Sequence, residues 1–129
     1  MGEQSEQKRV LIVDDNRDAA ELLHMLLDMQ GYTVDIANTG EDGLARSAQF
    51  CPQVILSDIN MPGMSGYEFA RQVRAAGTTP APYLIAITGG GSDPANRARE
   101  AGFDRCLTKP CSLEDILAPV DHFFATVSG

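Results

Sequence analysis

From Arg9 onward, short apolar runs take turns with longer amphipathic stretches, and this alternation restricts the fold more than any other feature of the chain. Val10-Leu11-Ile12-Val13 is the first run and stops at Asp14-Asp15-Asn16. Asn16 is placed to cap a helix in which Ala19, Leu22, Leu23, Leu26 and Gln30 recur at intervals of three and four, and Gly31 ends it. Thr33–Ala37 reads as a second strand, polar enough for a sheet edge, and Thr39 opens a short helix through Leu44, Ala45 and Ala48. The third strand, Val54-Ile55-Leu56-Ser57-Asp58, runs into a Pro-Gly loop at 60–64. Next comes Ser65-Gly66-Tyr67-Glu68, which has the spacing of a capping box, and a helix burying Phe69, Ala70 and Val73.

Beyond Pro80 and Pro82, Tyr83–Thr88 is a fourth strand expected to be fully buried. Gly89-Gly90-Gly91 follows, and Asp93-Pro94 is expected to cap a helix over 94–101. Its inner face offers only Ala95, Ala98 and Ala101, so little apolar area anchors it and it is expected to be the mobile helix. A short strand at Arg105–Thr108 leads to Lys109-Pro110. The last helix starts at Ser112 with a stripe of Leu113, Ile116, Leu117, Val120 and Phe124. Pro119 inside it removes a donor and clashes with the preceding turn, typically at about 3 kcal/mol, which predicts a kink. Five strands alternating with five helices predict an α/β fold, a doubly wound parallel sheet with helices on both faces, because right-handed crossovers put them there. Residues 1–8 read as a polar, disordered segment and residues 9–126 as one domain.

With 129 residues, 43% of them hydrophobic, the chain can bury one sizeable core. A net charge of −8 argues against nucleic acid as a direct partner and against anionic membrane. Cys51, Cys106 and Cys111 are an odd set with no CxxC pair, which fits neither a disulfide framework nor a zinc knuckle and suits a reducing compartment. The polar start has no signal core, and no apolar run approaches the roughly 20 residues of a membrane helix, so no membrane insertion and a cytoplasmic location are expected.

In a parallel sheet of this kind, ligands bind outside the carboxyl ends of the strands. Those ends carry Asp14-Asp15, Asp58, Thr88 and Thr108-Lys109. Three carboxylates brought together repel one another unless a hard divalent cation neutralises them, and Mg²⁺ takes carboxylates while keeping positions for water and phosphoryl oxygens. Lys109 adds a compact positive charge and Thr88 a hydroxyl donor. The set suits phosphoryl transfer through an aspartyl phosphate, with Asp58 as the central nucleophile and Asp14-Asp15 better placed to hold metal.

The ordered set Asp14-Asp15, Asp58-Ile59-Asn60-Met61-Pro62-Gly63, Gly66, Thr88 and Lys109-Pro110 resembles the receiver domain of two-component response regulators, from Val10 to about Phe124. The resemblance implies a flavodoxin-like strand order 2-1-3-4-5 and Asp58 as the phosphoacceptor. It further implies Mg²⁺ (or Mn²⁺) bound by Asp15, Asp58 and the Asn60 carbonyl, with Asp14 acting through water, and Lys109 and Thr88 contacting the phosphoryl group. It makes Lys109-Pro110 a candidate cis bond. It implies a histidine kinase or histidine phosphotransfer protein as donor, small phosphodonors as substitutes, and a downstream protein target. Self-phosphorylation and self-dephosphorylation would be its only enzymatic acts. A monomer or a weak phosphorylation-dependent dimer is expected, either as a stand-alone regulator or as a receiver cut from a hybrid kinase.

One position departs from the family pattern. Receivers usually carry Tyr or Phe three residues before this lysine, and Cys106 has no ring to swing, so the expected route of the signal is the loop 89–91 and the helix after it. Taken singly, each Asp reads as a cap or turn residue; the constellation is what carries meaning. The glycine run lacks GxxxxGK[ST] spacing and reads as a flexible loop, while His24 and His122 read as solvated surface. The methionines Met25, Met29, Met61 and Met64 read as packing and loop residues. A flavodoxin-like FMN carrier would need a neutral phosphate loop where Asp14-Asp15 stands, and an aspartyl-phosphate phosphohydrolase would need a second acid-base Asp and a covering domain.

Overall fold

A computed structural model describes residues 7–78, 80–89 and 94–128. The elements run β1 (Arg9–Val13), α1 (Arg17–Met29), β2 (Thr33–Ala37), α2 (Gly40–Phe50), β3 (Val54–Asp58) and α3 (Gly66–Ala76). They continue with β4 (Tyr83–Thr88), α4 (Pro94–Ala101), β5 (Arg105–Thr108) and α5 (Leu113–Ser128). All strand pairs are parallel, in the order β2-β1-β3-β4-β5, so β2 is the edge that its polar residues suggested. Successive residues of a strand face opposite sides of the sheet. Leu11, Val13 and Ile55 accordingly pack with Phe69, Ala70 and Val73 of α3 and Ala98 and Ala101 of α4. Val10, Ile12 and Leu56 pack on the other face with Ala20 and Leu27 of α1 and Ile116, Val120 and Phe124 of α5.

The helix starts follow the capping residues. Asn16 Oδ1 accepts from the Ala19 N–H at 3.1 Å, Thr39 Oγ1 from Asp42 at 3.0 Å and Ser65 Oγ from Glu68 at 3.2 Å. The reciprocal half of the expected box at Ser65 is missing, because the Glu68 carboxylate pairs with Arg71 and Gln72 instead. A complete box forms at α5, where Ser112 Oγ accepts from Asp115 N–H and Asp115 Oδ2 accepts from Ser112 N–H. Asp93, expected to cap α4, lies outside the described residues, as do Gly90, Gly91 and residues 1–6.

Several packing expectations are corrected. The buried residues of α1 are Ala20 and Leu27, with Leu23 partly covered, whereas Ala19, Leu22 and Gln30 are exposed. Both stripes have helical spacing, and only the sheet decides which faces inward. In α2 the buried positions are Gly40 and Gly43 rather than Ala45 and Ala48. A Cβ on Gly43 would stand 2.9 Å from Phe69 Cε1 and 3.1 Å from Val13 Cγ2, so α2 approaches closely by its backbone there, while the expected Leu44, with Phe50, packs partly buried on the same core. Tyr83 and Ile87 leave β4 short of full burial, and Ala95 is exposed, so α4 buries only Ala98 and Ala101. α5 continues across Pro119, which is buried.

Candidate functional site

Parallel pairing puts the ends of three central strands at one rim. Val13 is level with Ser57, and Asp58 is level with Ile87, so Asp14, Asp58 and Thr88 arrive on neighbouring strands within about one residue of one another. Asp58 is only 7% exposed. Its Oδ1 accepts from the Ile59 N–H at 2.9 Å and from the Lys109 ammonium at 3.3 Å. Ser57 Oγ donates to the Asp58 carbonyl at 2.9 Å, so the strand end is fixed on both sides.

Asp14 is held as firmly. Its N–H donates to the Ala37 carbonyl at 3.0 Å, its own carbonyl accepts from the Asn38 side-chain amide at 2.9 Å, and its Oδ1 accepts from the Asn16 N–H at 3.0 Å. Asp14, Asp15 and Asp58 each present one carboxylate oxygen, and these oxygens lie within 4.8 Å of one another. Three carboxylates against one ammonium leave an excess of negative charge in a partly buried space. Burial pushes the Asp14 carboxyl up, and the charges of Asp58 and Asp15 push the same way against the Asn16 N–H and Lys109. This all-oxygen donor set fits a hard divalent cation.

Thr88 is buried, at 1% exposed, and its carbonyl accepts from the Lys109 N–H at 2.7 Å, which ties the end of β5 to the end of β4. The Lys109–Pro110 peptide is cis. Asn60 is exposed in the loop after β3, across from Gly89, where a Cβ would meet Asn60 Nδ2 at 3.9 Å. The candidate site residues Asp14, Asp15, Asp58, Asn60, Thr88 and Lys109 thus lie at or just beyond the ends of β1, β3, β4 and β5. The contributions of the Ile59 N–H and of Asn38 carry no signal in the sequence, the first being backbone and the second an ordinary turn residue. Cys106 and Cys111 are partly buried, and burial pushes both thiols up, which leaves little reactive thiolate.

A groove of about 650 Å³ opens between α1 and the start of α5, lined by Leu22, Leu26, Pro110 and Leu113, and it shares Asp14 and Lys109 with the acidic cluster. The apolar stripe of α1 that the sheet does not use therefore borders the site. Beyond it on the same helix, Met25 is 57% and Met29 73% exposed.

Comparison with known proteins bears directly on this arrangement. Residues 10–121 match the sequence pattern described as the response regulator receiver domain. The chain belongs to that family. This receiver is 41% identical over 112 residues to the virulence sensor protein BvgS of Bordetella pertussis, covering 82% of the chain and 9% of BvgS. It is 34% identical over 120 residues to the transcriptional regulatory protein ResD of Bacillus subtilis, covering 92% of the chain and 48% of ResD. It thus spans half or less of the length of these relatives. Among solved structures, a CheY-like receiver domain protein from Methanospirillum hungatei superposes with a TM-score of 0.86 at 30% identity, covering 94% of this chain and 96% of that one. Receivers are switches of two-component signalling rather than turnover enzymes. Among the described residues no helix is long and apolar enough to cross a membrane.

Proposed function

We propose that this receiver is switched by a phosphoryl group accepted on Asp58. The observation that carries the proposal is the convergence on one buried aspartate: a central strand end, two further carboxylates within 4.8 Å and an ammonium at 3.3 Å. In the reaction a carboxylate oxygen of Asp58 attacks the phosphorus of a phosphohistidine. The new O–P bond forms as the N–P bond breaks, and the electron pair returns to the imidazole nitrogen, which takes up a proton from solvent. Mg²⁺ (or Mn²⁺) bound by Asp15, Asp58 and the Asn60 carbonyl, with Asp14 acting through water, would neutralise the carboxylates and draw charge from the phosphoryl oxygens. Lys109, freed from Asp58 Oδ1, and the Thr88 hydroxyl would hold the transferred group. Hydrolysis of the acyl phosphate by water resets the switch, so both reactions act on the chain itself.

The donor would be a histidine kinase or a histidine phosphotransfer protein, and the groove beside the site gives it a place to sit. A partner that covers Leu22 and Leu26 brings its own surface to Asp14 and Lys109, which line the same groove. A switch charged in this way works in the cytoplasm, where reduced cysteines such as these persist. Its output would be a changed contact with a downstream protein.

The test is the intact mass of wild type and Asp58→Asn after incubation with acetyl phosphate, with and without Mg²⁺. One added phosphoryl group is expected in wild type with metal and in no other sample. An adduct of equal size in Asp58→Asn would remove Asp58 from its role.

A further inference from the structure

Away from the acidic cluster, a chain of close contacts leads from Asp58 to α4. Gly66, the first residue of α3, is pressed so tightly on the end of β3 that a Cβ there would stand 2.3 Å from the Asp58 carbonyl oxygen and 2.7 Å from Ile59 Cα. Its N–H donates to the Ile59 carbonyl at 2.8 Å. The first turn of α3 therefore cannot shift independently of the Asp58 backbone. The next residue, Tyr67, is 8% exposed, and the guanidinium carbon of Arg97 lies 4.5 Å from its ring centroid. Arg97 belongs to α4, whose own burial is limited to Ala98 and Ala101. A face-on cation–π contact is comparable in strength to burying one alanine methyl, so on this helix it is a substantial share of the anchoring. A cavity of about 140 Å³ lined by Ala98, Phe103, Arg105 and Cys106 gives the helix room to change its seat.

We propose that Tyr67 and Arg97 form a latch that ties α4 to the end of β3, so that a change at Asp58 reaches α4 through Gly66 and Tyr67. The inference rests on the phosphoacceptor reading. Neither residue belongs to the acidic cluster: both are positioning residues, and the latch sets how α4 responds rather than whether Asp58 is loaded.

Amide exchange of residues 94–101 in the full chain, at rest and loaded with beryllofluoride and Mg²⁺, tests the latch. Loading is followed independently by fluorine NMR. In Arg97→Gln, exchange at rest is expected to quicken about two- to fivefold, the range that a cation–π contact of about 0.5–1 kcal/mol gives, and the change on loading to fall by at least half. Tyr67→Phe keeps a ring face for the cation and is expected to behave as wild type. If Arg97→Gln takes up beryllofluoride normally and α4 still responds in full, the latch is wrong while the phosphoacceptor reading stands. If wild type itself takes up no beryllofluoride, the phosphoacceptor reading fails and the latch falls with it.

Discussion

Lys109 holds its ammonium 3.3 Å from Asp58 Oδ1, with the lysine side chain 47% exposed and the aspartate 7%. One partner is thus solvated and the other is not. The pair contributes less to stability than its charges suggest, yet breaking it leaves Asp58 facing Asp14 and Asp15 without the Lys109 charge.

Lys109→Ala is therefore expected to lower metal-free stability by only about 1 kcal/mol, read from urea unfolding, with Mg²⁺ recovering part of the loss. Phosphorylation by acetyl phosphate is expected to slow roughly 10- to 100-fold, because a charge-assisted hydrogen bond of about 1.5–3 kcal/mol to the transferred group is lost. An unchanged rate would remove Lys109 from the transfer step.

Asp14 supplies a prediction of opposite sign. Its carboxyl is pushed above the ordinary value in the folded chain, so ionisation works against folding. The penalty is absent below the unfolded-state pKa, grows as pH rises through the unfolded and then the folded value, and is complete above the latter. Without metal, Asp14→Asn is expected to be more stable than wild type at neutral pH. The advantage should disappear as pH falls toward the unfolded value and shrink when Mg²⁺ is added. Urea midpoints across pH, with and without metal, check all three.

Gly66→Ala forces a methyl group against the Asp58 carbonyl and Ile59 Cα, both backbone atoms that cannot rotate away. A cost of about 1–3 kcal/mol is expected in urea unfolding, with a loss of phosphorylation beyond what the fraction folded accounts for.

Leu22 is 57% exposed, so Leu22→Glu is expected to change stability by no more than about 0.5 kcal/mol. It should leave phosphorylation by acetyl phosphate intact while slowing transfer from a phosphorylated histidine protein. Equal rates from both donors would exclude the groove as the donor's seat.

The site was legible because a parallel sheet turns sequence position into spatial position. Asp14-Asp15, Asp58 and Thr88 each close an apolar run, Lys109 follows the short strand Arg105–Thr108, and all four strands end on one rim. The helix faces were less legible where two stripes compete. In α1, Ala19, Leu22 and Leu26 share the spacing of Ala20, Leu23 and Leu27, and only the second set meets the sheet. In α2 the fully buried residues are Gly40 and Gly43, which no hydrophobic pattern marks, whereas Leu44, which the pattern does mark, packs partly buried on the core. The spacing of Glu68 marks it as a capping partner, but Arg71 and Gln72, one turn on, take its carboxylate. The Tyr67–Arg97 contact joins residues 30 positions apart, and nothing local in either segment announces it.

The most direct test of the central claim is reductive trapping. Borohydride converts an acyl phosphate to an alcohol, so an aspartyl phosphate becomes homoserine, and peptide mass spectrometry locates it. After brief exposure to acetyl phosphate and Mg²⁺, homoserine is expected at position 58 and at no other aspartate. Homoserine at Asp14 or Asp15, or none at position 58 in a sample whose intact mass carries the phosphoryl group, would contradict the assignment of Asp58 as the acceptor.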